Sequence, residues 1–100
     1  MTIRALIEAV ERGEFIAGIL QSHETVAYAA FSGSLDAALA LHEALLPGWV
    51  YGLNIGFQRK AHAVVGRPGV SFFTGDNDTG NPARAWLLAI LRAVEAQGAE

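Results

Sequence analysis

Apolar and polar residues alternate along this chain with two different periods, and the change of period divides it into elements. From 3 to 12, Ile3, Leu6, Ile7 and Val10 recur at helical spacing, with Arg4, Glu8, Glu11 and Arg12 on the other side. Thr2 precedes this run as an N-cap and Gly13 follows it as a stop. Residues 14–31 keep a looser helical spacing through Phe15, Ile16, Ile19, Leu20, Ala27, Ala30 and Phe31. Gly18 and the polar Gln21-Ser22-His23-Glu24 interrupt it, so a helix broken near Ser22 is expected, with a strand over 26–31 as the alternative. A further helix is expected over 35–46, with Ser34 as cap, Asp36 in its first turn and Pro47-Gly48 as its end. Its apolar stripe is Leu35, Ala38, Leu39, Leu45 and Leu46, with Ala37, Ala40 and Ala44 opposite.

At Trp49 the period becomes two. Trp49, Tyr51, Leu53, Ile55 and Phe57 share one face of a strand over 49–57, while Val50, Gly52, Asn54 and Gly56 share the other. Gln58-Arg59 turns into a strand over 60–65. Gly66-Arg67-Pro68-Gly69 turns again into 70–74, completing an antiparallel meander, and 75–80 reads as a polar loop. Asn81 caps a last helix over 82–96 that has Pro82 at its first position. The fold class is therefore α+β, a three- or four-stranded antiparallel sheet covered or sandwiched by helices. The expected core is Ile7, Leu39, Leu45, Leu53, Ile55, Leu87, Ile90 and Leu91. The face bearing Gly52, Asn54 and Gly56 is bare. Either another backbone or a ligand approaches it closely, or it is a twisted or bulged sheet edge.

A chain of 100 residues with these elements is one domain, and 52% hydrophobic against 17% charged residues excludes disorder. The apolar share and the wide stripe of the last helix (Trp86, Leu87, Leu88, Ile90, Leu91, Val94) point to a homo-oligomer. A net charge of −3 with seven scattered basic residues argues against double-stranded nucleic acid as partner. There are no cysteines, which removes disulfides and thiolate zinc sites. No signal region or membrane-spanning stretch is present in the sequence, so the cytoplasm is the expected location.

The stretch Ser34-Leu35-Asp36-Ala37-Ala38-Leu39-Ala40-Leu41-His42-Glu43-Ala44-Leu45-Leu46-Pro47-Gly48-Trp49, with the Asn81-Pro82-Ala83-Arg84-Ala85 helix through Ala93, resembles the phage α/β/α-sandwich family. The resemblance covers about 32–96. It implies helices on both faces of the sheet and a phage or prophage setting, and brings no catalytic residues, cofactor or metal with it.

The residues themselves offer little chemistry. His23, His42 and His62 lack metal-ligand spacing, and Asp76-Asn77-Asp78-Thr79-Gly80 has Leu87 where a calcium loop needs its closing glutamate. His42 is either a ligand-contacting imidazole or a core histidine held by a backbone carbonyl, and the second is favoured. Arg84 stands in the first turn of the last helix, where the dipole opposes a cation, and on the apolar side. A negative partner is expected, from Asp76 or Asp78 or from an anionic ligand. In the ligand case Asn81, Arg84, Arg59, Lys60 and Trp86 are the candidate binding residues. No triad, nucleophile elbow or phosphate loop occurs, so a non-enzymatic accessory protein acting by binding is the expectation. It would sequester a small anionic, nucleotide-like host signal, an anti-defence role, or else inhibit or assemble with a host or phage protein.

Overall fold

A computed structural model of the chain describes residues 2–56, 60–78 and 80–98. Helices α1 (Ile3–Glu11), α2 (Glu24–Phe31) and α3 (Leu35–Leu45) come first, with a single 3₁₀ turn (Gln21–His23) before α2. Strands β1 (Val50–Ile55), β2 (Ala61–Arg67) and β3 (Ser71–Asn77) follow, and α4 (Pro82–Ala96) closes the chain. The strands form an antiparallel meander in the order β1-β2-β3. Among the described residues no helix is long and apolar enough to cross a membrane.

The helix ends form where the cap residues stand. Thr2 Oγ1 accepts from Ala5 N at 3.2 Å, Ser34 Oγ from Ala37 N at 3.1 Å and Asn81 Oδ1 from Arg84 N at 3.1 Å. Helix α2 begins later than the periodicity predicts. Gly18 and Gln21 both take positive φ, which breaks the helical path, and the Glu24 carboxylate accepts the Gly18 N–H across the break. Residues 26–31 are helix, not strand.

Helix α4 is the hub. Ten of its side chains are buried, spread almost around its whole circumference. One side packs on β2 and β3, and the other carries α1, α2 and α3. The width read as an oligomer interface is thus used inside the chain, and Trp86, Leu87, Ile90 and Leu91 are all buried. Gly75 lets α4 come so close. A Cβ there would stand 2.2 Å from the Ala85 carbonyl oxygen and 2.7 Å from the Ala89 nitrogen. Strand β3 extends through Gly75-Asp76-Asn77, a stretch that reads as loop from its polarity, because Gly75 faces the helix while Asp76 on the other face meets His62 of β2.

The core prediction divides accordingly. Ile7, Leu87, Ile90 and Leu91 are fully buried and Leu39 and Leu45 are half-buried. Leu53 and Ile55 are not core: they are 38% and 57% exposed. Their side chains do lie on the helix-facing side, in register with the buried Ala63 and Ala61. Because α4 sits over β2 and β3, the helix-facing side of β1 is left uncovered beyond Tyr51. The stripe of α3 is corrected in the same way: Leu35 is exposed, and Ala38, Leu41, His42 and Leu46 face inward. On the far face of the sheet His62, Phe72, Thr74 and Asp76 are exposed, so helices cover one side of this sheet and not both. Phe57, the Gln58-Arg59 turn and Thr79 lie outside the described residues.

Gly75→Ala must push two backbone atoms aside and is expected to cost about 1–3 kcal/mol or more by overpacking. Gly56→Ala is the control, since its nearest neighbour would lie at 3.9 Å. Thermal melts should show Gly75→Ala lowered by roughly 5–20 °C and Gly56→Ala close to the parent; equal melting of the two would contradict this seat for α4.

Candidate functional site

His42 shows how α3, β1 and α4 are tied together. It is buried, its Nε2–H donates to the Trp49 carbonyl at 3.0 Å, and its Nδ1 accepts from the Trp86 indole N–H at 3.3 Å. An indole nitrogen can only donate, so the imidazole is neutral with its proton on Nε2. The Tyr51 ring lies 4.4 Å from Trp86 and 5.0 Å from His42, centroid to centroid. His42 is therefore a core histidine held by a backbone carbonyl, and Trp86, a candidate ligand residue, is 2% exposed and engaged inside this cluster.

Arg84 finds a negative partner of a kind the sequence reading did not anticipate. Its Nε–H donates to the Phe31 carbonyl at 2.9 Å, and its guanidinium carbon lies 3.9 Å from the centre of the Phe31 ring. Phe31 is the last residue of α2, so the carbonyl belongs to the negative end of that helix. A helix C-terminus and an aromatic face answer the charge in place of a carboxylate. Among the described residues Arg84 makes no ion pair; Asp76 instead meets His62, Oδ1 to Nδ1 at 2.6 Å. Asn81 is occupied too, accepting from Arg84 N and donating to the same Phe31 carbonyl at 3.4 Å.

Beside Arg84 lies a cleft of about 290 Å³, lined among others by Glu11, Arg12, Asp76, Asp78 and Arg84. Three carboxylates against two guanidinium groups make it a poor receptor for an anion. Lys60 is exposed just before β2 and does not line this cleft. Arg59 lies outside the described residues. The structure thus joins Asn81 to Arg84 but brings Trp86 and Lys60 to neither. No group of side chains suited to a metal ion occurs among the described residues.

The feature that sequence reasoning missed is the free side of β1. Gly56 N–H donates to the Lys60 carbonyl at 2.8 Å, which sets the hydrogen-bonding phase of the β1–β2 pair. By the alternation of an antiparallel ladder, residues 50, 52 and 54 bond toward β2, in register with 66, 64 and 62. The N–H and C=O groups of Tyr51, Leu53 and Ile55 then point out of the sheet, where no strand of the described residues meets them. Val50, Tyr51, Leu53 and Ile55 are between 38% and 57% exposed, and β1 contains no charged residue and no proline to guard the edge. The opposite edge is guarded. Arg92 of α4 donates to the Thr74 carbonyl of β3 at 2.6 Å and is itself paired with Glu11. The first strand of a meander is an edge strand, so the lack of charge in Val50–Ile55 was the available signal.

No family model, curated protein or solved structure matches the chain.

Replacing His42 by Leu strands the Trp86 N–H and the Trp49 carbonyl, at roughly 1–3 kcal/mol for each group left unpaired. In a double-mutant cycle, His42→Leu with Trp86→Phe should destabilise by less than the sum of the single changes, with about 0.5–3 kcal/mol of coupling. Strict additivity in denaturant titrations would mean the two side chains do not share a bond.

Proposed function

We propose that this chain is a non-enzymatic interaction module that binds another protein chain through the open side of β1. One observation carries the reading: a strand uncharged along its length and apolar on its helix-facing side, with that side uncovered and its outer backbone groups unpaired among the described residues. An extended segment added to such an edge gains main-chain hydrogen bonds, and the alternate side chains give it specificity. A phage or prophage setting is part of the proposal and rests on the pattern over residues 34–49 and 81–93. Capture of a small nucleotide-like anion beside Asn81 and Arg84 is the weaker reading, since Arg84 is already engaged by Phe31 and carboxylates dominate the neighbouring cleft.

A benzophenone amino acid at position 53, irradiated in the native host, should give discrete covalent protein adducts. The same group at the exposed position 43 on α3 should give none. Absence of adducts at 53, or equal labelling at both positions, would overturn the proposal.

A further inference from the structure

We infer that the chain seated on β1 is a second copy of this one, joined by antiparallel β1–β1 pairing about a two-fold axis at Leu53. This rests on the reading of β1 as the working surface and names its occupant. The outward-pointing residues, Tyr51, Leu53 and Ile55, are spaced symmetrically about Leu53. A two-fold axis normal to the sheet therefore sets Leu53 against Leu53 of the second copy and Tyr51 against Ile55. Every free N–H then meets a free C=O, because facing residues of this phase exchange both bonds. A one-residue slip would set outward groups against groups already bonded to β2, so hydrogen bonding alone restricts the register.

The side chains fit the same arrangement. On the helix-facing side, Tyr51, Leu53 and Ile55 of both copies form one apolar strip between two helical layers, which covers the surface that α4 leaves open. On the other side Gly52 comes opposite Asn54 of the second copy, so the bare face of the strand leaves room for the asparagine amides. No like charges meet, since β1 has none. The β3 edge does not compete, because Arg92 holds the Thr74 carbonyl. A surface built on one short strand falls below the roughly 800 Å² per partner of a tight complex, so the dimer is expected to dissociate in the micromolar range.

The test combines sedimentation with cysteine cross-linking, which is unambiguous because the chain has no cysteine of its own. Sedimentation from about 1 to several hundred micromolar should show the wild-type protein passing from monomer to dimer. Leu53→Lys should stay monomeric while keeping the parent's circular dichroism and melting profile when both are dilute. Under mild oxidation Leu53→Cys should form a disulfide dimer, since facing residues in this phase lie about 5.5 Å apart between Cα atoms. Tyr51→Cys alone should not, its two copies standing about 14 Å apart along the strands. Tyr51→Cys mixed with Ile55→Cys should. A wild-type monomer at every concentration, a dimer that survives Leu53→Lys, or cross-linking of Tyr51→Cys with itself would each overturn the pairing. The proposed function would survive such a result if the position-53 adducts contained a different protein, and would fail with it if there were no adducts.

Discussion

The close approach of α4 to β3 at Gly75 governs the rest of this molecule. Ala85 and Ala89 offer helix backbone, Gly75 offers a strand without a side chain, and the two surfaces meet closer than any Cβ permits. This contact sets where α4 lies across the sheet. Seated over β2 and β3, it buries Ala61, Ala63 and Val65, and its remaining sides hold α1, α2 and α3. A helix spans about 10 Å while neighbouring strands are about 4.8 Å apart, so one helix so placed covers two strands and not three. The exposure of Leu53 and Ile55 follows from that geometry.

The two edges of the sheet are treated differently by the same helix. Toward β3, Arg92 reaches over the edge to the Thr74 carbonyl and is steadied by Glu11 of α1. Toward β1, α4 offers the Trp86 ring to Tyr51, a contact reinforced by His42 from α3. The strand is anchored at its Tyr51 end and bare beyond it. An anchored, apolar, uncharged edge is a liability in an isolated domain and a binding device in one that has a partner.

Much of this fold is legible in the chain. The cap residues Thr2, Ser34 and Asn81, the stop at Pro47-Gly48 and the switch of period at Trp49 mark elements that form close to where they are read. These are local signals, fixed by neighbours within a few residues. What was illegible depends on residues far apart in sequence. Gly75 reads as loop because its strand role comes from a helix ten residues later. Tyr51, Leu53 and Ile55 lie on the expected face, but whether a helix covers that face is set at Gly75. The position of Arg84 predicts a carboxylate or an anionic ligand, and its partner is a main-chain carbonyl at Phe31, a group every residue carries and no composition can point to. The candidate binding residues stand out in the sequence by charge and aromaticity, whereas the surface that stands open is defined by backbone groups and by the absence of charge.

Hydrogen exchange along β1, followed by NMR, tests the open edge most directly. In dilute protein the amides of Gly52 and Asn54, which bond to β2, should be protected, and those of Tyr51, Leu53 and Ile55 should exchange far faster. At high concentration the second set should become protected while the first changes little. Uniform protection along the strand in dilute protein would mean that β1 is already covered within the chain, and would contradict the account.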